Sequence, residues 1–335
     1  MKGQMWPIEN ATAATRLRWG APQNQISWAF MKQMREHNDT KKVYACDPYV
    51  EVYTIRENLY ALFSQNCDGA GDVWMYLIIG PEKCMLIDTA FGLGDTKALV
   101  DEITGGKEII VVNTHGHVDH SYGNTRFNRV YCSEYEVSSL KAQNSLMFDY
   151  LFDENGNNKW LQFDRKDLPQ FQPYEIIGVP DGYTWNLGGT HEVELVWLGG
   201  HSGGMSAFLD KTLRSVFTGD DLCSDISGVA SGPRPGAASP QYMNLFTFRN
   251  NLSRLVARMD EYDYLYPGHF ILNLENIVLK NELETCDEIL ANPNNYDYER
   301  EGVTGKGEKR IRRFKYIKGF GMLAYTVEGL YPPEN

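Results

Sequence analysis

The chain has little of what would staple, span or export it. Its six cysteines (Cys46, Cys67, Cys84, Cys132, Cys223 and Cys286) are scattered without a CxxC spacing, which argues against a disulfide framework and against an all-cysteine zinc site. No stretch approaches the roughly eighteen consecutive apolar residues that cross a bilayer. The start, MKGQMWPIENATAATRLRWG, has no apolar signal-peptide run, so a soluble, cytoplasmic protein with no membrane partner is expected. Positive charge is scarce as well: 32 Lys and Arg stand against 44 Asp and Glu, a net charge of −12. That balance repels a phosphate backbone, so no nucleic-acid partner is expected. One local exception, KGEKRIRRFK at 306–315, reads as a solvated strand or loop whose cations guard a sheet edge.

What is present is enough for a large core. The 335 residues are 42% hydrophobic and show no long biased segment or short-period repeat, so one large domain, alone or with appendages, is expected. Residues 1–44 read as an N-terminal extension without strand pattern, carrying one amphipathic helix marked by Ile26, Phe30 and Met34. Residues 45–290 read as the main domain, with short strands and helices broken by turn residues. DVWMYLIIG and KCMLIDT form a hairpin across Gly80-Pro81, GDTKALVDEITG a helix from about Asp95 to Gly105, and KEIIVVNT a buried strand. A stretch of weak periodicity at about 145–180, rich in Phe, Tyr and Trp, reads as a cap-like insertion. MNLFTFRNNLSRLVARMDEYD and ENIVLKNELETCDEIL are helical, and residues 291–335 form an extension that returns to pack on the domain.

Histidine is rare, seven in all, yet five of the seven fall in three short motifs: THGHVDH, GGHSGG and YPGH. In VVNTHGHVDH a strand delivers His115 and His117 two residues apart, so both rings can face one way, and Asp119 and His120 follow as the chain turns. Small neighbours leave room for a ligand to approach. Imidazole and carboxylate suit a divalent ion, zinc first, with iron or manganese at the harder end. Asp220, ending an apolar strand in VFTGDDL, is the best candidate for an acid shared by two ions. Asp88 in LIDT also ends a strand and can bond the outer nitrogen of a ligating histidine. His37 and His191 lie outside any motif and read as ordinary structural histidines. Asp221 and Asp225 read as loop acids, and Cys223 as a buried thiol.

Taken in order, LIDT, THGHVDH, GGHSGGM, FTGDDL and YPGH resemble the metallo-β-lactamase superfamily in its hydrolase branch, with glyoxalase II and the metallo-lactonases. The resemblance implies an α+β fold, a four-layer αββα sandwich with N- and C-terminal extensions and the site at one edge. It implies two divalent ions, one held by His115, His117 and His201, the other by Asp119, His120 and His269, with Asp220 bridging. The expected chemistry is hydrolysis of an ester, thioester, lactone or amide of a small molecule by a metal-bridging hydroxide, with Asp119 orienting it and passing its proton to the leaving group. DDLCSDISG lacks the tyrosine that lactonase relatives place after the bridging acid, and Asp220 stands where a true β-lactamase has Ser or Cys. The competing expectations are a mononuclear iron enzyme similar to persulfide dioxygenases and a non-catalytic metal-binding protein on the same fold. Homo-oligomerisation is left open.

Overall fold

The computed structural model describes residues 12–17, 25–69, 71–232, 236–303 and 309–333. Its first sheet starts as an antiparallel meander of Asp47–Arg56, Leu59–Ser64, Val73–Ile79 and Lys83–Ile87. Turn chemistry sets the register. Asn58 takes the left-handed conformation (φ 65°) that asparagine tolerates at a tight turn, and Gly80-Pro81 closes the expected hairpin, with Ile79 opposite Cys84. Helix Thr96–Thr104 then begins where the Asp95 side chain accepts from Ala98 N at 3.1 Å and ends at Gly105 with φ 65°. It returns the chain to Glu108–Val112, a parallel neighbour of Lys83–Ile87. Arg129–Ser133 and Glu175–Val179 extend this eight-stranded sheet at one edge, and Lys42–Tyr44 closes the other.

The second sheet has six strands, Thr184–Asn186, Glu192–Trp197, Ser206–Asp210, Ser215–Gly219, Tyr264–Pro267 and Leu274–Glu275. Its inner face meets the first sheet through Trp74, Tyr76, Ile78, Phe208, Phe217 and Tyr266, all but sealed from solvent. Phe217 stacks on Tyr266 with centroids 5.3 Å apart; truncating a buried aromatic of this kind to Ala costs about 3–5 kcal/mol. Helices Leu245–Val256 and Ile277–Ala291 cover the outer face, burying Leu252, Leu255, Leu279 and Ile289. Leu99 and Val100 of helix Thr96–Thr104 do the same for the first sheet. The result is the four-layer αββα sandwich. At one edge the two sheets are tied by Ser206 N to Thr114 O (3.0 Å) and Trp74 N to Gly268 O (2.7 Å), and the histidine motifs lie there.

Several particulars differ from the sequence reading. The aromatic stretch 145–180 does not all stand apart, because Glu175–Val179 is a parallel strand of the main sheet. Only the part before it forms a separate cluster, with Phe148, Leu151, Phe152, Leu161 and Phe163 packed on Phe91 and Tyr122. Within 1–44, Thr15–Arg16 pairs with Leu161–Gln162, and Lys42–Tyr44 joins the first sheet. The helix expected there is present at Gln25–Glu36, with the side chains of Ile26 and Phe30 outside the description. The basic strand Lys309–Tyr316 is no edge: it lies between Tyr298–Val303 and Met322–Tyr325, the last of which pairs with Ile226–Ala230. Lys309 and Arg313 face Glu301 and Glu299 across that ladder, while Lys306 and Glu308 are outside the described residues. All six cysteines are free. Among the described residues no helix is long and apolar enough to cross a membrane.

Candidate metal centre

Four strand ends supply the donors. Glu108–Val112 leads into His115 and His117, and a single helical turn at Val118–Ser121 brings round Asp119 and His120. Glu192–Trp197 leads to His201, Ser215–Gly219 to Asp220, and Tyr264–Pro267 to His269. Donor atoms of His115, His117, His201 and Asp220 all lie within 4.8 Å of one another, and so do those of Asp119, His120 and His269. Asp220 stands between the groups. Its Oδ1 is 3.1 Å from His120 Nε2, while its Oδ2 is 3.3 Å from His269 Nε2, 3.5 Å from His201 Nε2 and 3.9 Å from His115 Nε2. All seven residues singled out in the sequence therefore meet at one edge of the sandwich.

The ring nitrogens are aimed by their outer partners. His269 Nδ1 is 2.9 Å from the carbonyl oxygen of Asp72; a carbonyl only accepts, so Nδ1 carries the hydrogen and Nε2 offers a lone pair. His120 Nδ1 lies 2.9 Å from Asp88 Oδ2, with the same consequence. Thr114 Oγ1 gives its one hydrogen to Asp88 Oδ2 at 2.8 Å and so accepts from His115 Nδ1 at 3.1 Å, which leaves His115 Nε2 facing inward as an acceptor. The lone pairs of His120 Nε2 and His269 Nε2 thus confront each other across 3.1 Å, and His115 Nε2 and His117 Nδ1 are 2.9 Å apart. Two acceptors that face each other as His120 and His269 do, beside two carboxylates, repel unless a proton or a metal ion sits between them.

Electrostatics repeat the point. Burial pushes the Asp220 carboxyl up, but His269 and His120 outweigh it and hold it well below the usual carboxylate range. Burial likewise pulls His269 down, yet Asp220 raises it to about 9. His115, sealed from water and ringed by other histidines, falls well below the usual histidine range. Negative charge on the acids draws positive charge into the cluster, and a nitrogen and oxygen donor set of this composition fits zinc, iron or manganese.

Small residues flank the donors for a reason other than ligand access. A Cβ on Gly268 would lie 2.8 Å from both Asp220 Oδ1 and His120 Cε1, and one on Gly219 (φ 53°) would lie 2.3 Å from Met205 Cε. The space is taken by the protein itself. Asp88 is held at φ 63°, a strained value for a non-glycine residue, with its N–H on Val112 O and its carboxylate on Thr114 and His120. Asp221 and Asp225 are not loop acids in solvent: both are fully buried, Asp221 with Oδ1 3.4 Å from His201 N. Cys223 is a buried thiol whose pKa burial pushes far up. His191 pairs with buried Asp210 at 2.7 Å, and His37 is exposed, both away from the donors.

Three residues escaped the sequence reading. Glu136, 2% exposed, accepts from Gly116 N (2.9 Å), Ser202 Oγ (2.8 Å) and Gly204 N (3.0 Å), so it staples the two loops that carry His115, His117 and His201. Asn66 Nδ2 donates to Asp119 Oδ2 at 3.1 Å, and Asp72 takes Asn66 N at 2.9 Å while its carbonyl holds His269. Glu136 sits in CSEYEV, where nothing marks it. The turn-rich NCDGAGD that holds Asn66 and Asp72 reads only as a loop.

Fold and donor set together define a class. Residues 68–269, more than half the chain, match the sequence model of the metallo-beta-lactamase superfamily, and the chain belongs to that superfamily. Solved structures of the same fold include a metallo-beta-lactamase from Pontibacter korlensis, 20% identical, with a TM-score of 0.51 over 71% of this chain and 99% of that one. A metallo-beta-lactamase family protein from Thermus thermophilus is 17% identical, with a TM-score of 0.50 over 74% of this chain and 85% of that one. Among individual relatives, the human acyl-coenzyme A thioesterase MBLAC2 is 24% identical over 237 residues, 65% of this chain and 78% of that protein.

Proposed function

We propose that the chain is a binuclear metal-dependent hydrolase of a small-molecule acyl bond, a thioester foremost, with esters, lactones and amides as neighbouring chemistries. The observation that carries the reading is Asp220, whose two oxygens reach donors of both groups at 3.1 to 3.9 Å. In this reading His115, His117 and His201 hold one ion, Asp119, His120 and His269 hold the other, and Asp220 is common to both. Zinc would be the first choice for a nitrogen and oxygen donor set of this kind. Bound divalent ions supply Lewis acidity, which makes hydroxide available near neutral pH and polarises a carbonyl oxygen. Asp119 is assigned the proton transfer: its side chain is 22% exposed against 11% for Asp220, so it can meet both water and a leaving group. A thiol, with a pKa of about 8.5, leaves with little help from such an acid, whereas an amine requires it. The preference for a thioester rests on the human thioesterase relative.

The test is a hydrolysis screen over acyl-coenzyme A thioesters, lactones and phosphodiesters, run on protein of measured metal content. Chelator-stripped protein should lose turnover and regain it with zinc. Asp220→Ala should lose more than about a hundredfold in rate, beyond the effect expected for groups that merely orient ligands, together with part of its metal. Full activity in the stripped protein would overturn the reading, as would iron with oxygen consumption.

A further inference from the structure

The outer wall of the centre is the loop between Leu59–Ser64 and Val73–Ile79. Two of its residues hold donors of the second group: Asn66 holds Asp119, and the Asp72 carbonyl holds His269. These two are tied to each other through Asn66 N and Asp72 Oδ1 at 2.9 Å. At the far side of the loop Asp68 Oδ2 accepts from Tyr150 Oη at 3.1 Å. Tyr150 comes from the short 3₁₀ helix Ser145–Leu151 of the aromatic cluster. That helix is itself anchored: Phe148 lies against Tyr122, centroids 4.0 Å apart, and Leu151 is 1% exposed. The Tyr150 carbonyl takes Lys159 Nζ at 2.8 Å, and its ring lies 6.1 Å from that of Trp160. The phenol is thus presented from a braced support to the loop that aims two donors of the second group.

We infer that Tyr150 is a positioning residue of the centre: its hydroxyl pins Asp68, and through the same loop it fixes Asn66 and Asp72 and so the aim of Asp119 and His269. The inference rests on the proposed two-ion reading, and it adds a dependence of one ion, not both, on the aromatic cluster. No strand or motif of the sandwich supplies this contact. The loops of the first group are stapled elsewhere, by Glu136 on Gly116 N, Ser202 Oγ and Gly204 N.

The experiment uses full-length protein loaded with cobalt(II), with affinities for the first and second ion read by chelator competition and by the visible absorption of each site. Tyr150→Phe, which removes only the hydroxyl, should weaken the second ion by about tenfold, the lower end for groups that orient ligands, and alter its absorption band. The first ion should be unaffected. Asp68→Ala should do the same, and the double variant should be no worse than the single ones, since both remove one link. Equal loss at both ions with a lowered Tm, additive losses, or unchanged binding in Tyr150→Phe would each overturn the inference. The metal readout is independent of turnover. Wild-type protein that binds two ions and hydrolyses nothing refutes the hydrolase while the link stands, and an active enzyme whose Tyr150→Phe form binds normally refutes the link alone.

Discussion

In the group of Asp119, His120 and His269, each donor is aimed by a bond to its own side chain: Asn66 on Asp119, Asp88 on His120, the Asp72 carbonyl on His269. In the group of His115, His117 and His201, Thr114 Oγ1 meets the His115 ring, and the loops are held through the backbone by Glu136 on Gly116 N and Gly204 N and by Asp221 on His201 N. A bond to the ring sets tautomer and angle, whereas a staple on the loop sets only where the ring starts. The first group should therefore depend on the position of its loops, and the second on the bonds that aim its side chains. Asp88 belongs to both, taking Thr114 Oγ1, which in turn faces His115, as well as His120.

The largest effect should come from that shared residue. Asp88→Asn keeps the left-handed backbone, which asparagine adopts readily, but replaces a carboxylate that accepts from Thr114 N, Thr114 Oγ1 and His120 Nδ1 with an amide that has one accepting oxygen and turns a donor toward the remaining partner. Both ions should weaken by about ten- to a hundredfold, measured by chelator competition. A loss confined to one ion would show that Asp88 serves one group only and would break the comparison. Glu136→Ala comes next and should divide the groups. It leaves the buried N–H groups of Gly116 and Gly204 without their acceptor, at about 1–3 kcal/mol for each group so stranded, so Tm should fall and the first ion should weaken. The second ion should hold its affinity.

How much of this is legible in the chain follows from the same contrast. The donors read out because strand periodicity and motif order are local: HGH on a strand end, GDD after VFT and YPGH after a strand each announce themselves. Asp88 reads out for the same reason, as an acid ending the apolar strand Lys83–Ile87. The strands and helices read out from their periodicity, whereas their stacking into a four-layer sandwich reads out only through the resemblance that the ordered motifs carry. Glu136 and Asn66 do not read out, since each acts across 20 and 53 positions through a hydrogen bond that leaves no periodic trace. Asp225 passes for a loop acid because its burial depends on the C-terminal strand Met322–Tyr325, with Met322 N on Asp225 O at 2.9 Å, and Asp221 because its neighbour Glu282 arrives on the distant helix Ile277–Ala291. The edge strand Glu175–Val179 is hidden by the aromatic stretch before it, and its parallel partner lies more than forty residues upstream.

The smallest effect on the centre should come from Asp47→Asn, and it sharpens the comparison by removing a pH response that belongs to neither group. Asp47 is fully buried beside Gly94, accepting from Tyr49 N at 3.1 Å. Burial, only partly offset by that N–H and by Arg126, raises its carboxyl from 3.8 to about 7. Between those values the folded chain keeps a proton that the unfolded chain has released, so stability falls as pH rises, and above 7 the whole penalty is present. An asparagine has no charge to bury. Asp47→Asn should match the wild type below pH 4 and exceed it above pH 7, by on the order of 1 to 4 kcal/mol at about 1.4 kcal/mol per pKa unit, read as urea midpoints across the range. Both metal affinities should stay where they are. If the fall in stability between pH 4 and 7 persisted unchanged in the variant, its source would lie in the other acids that burial raises, Glu282 and Asp221, and not in Asp47.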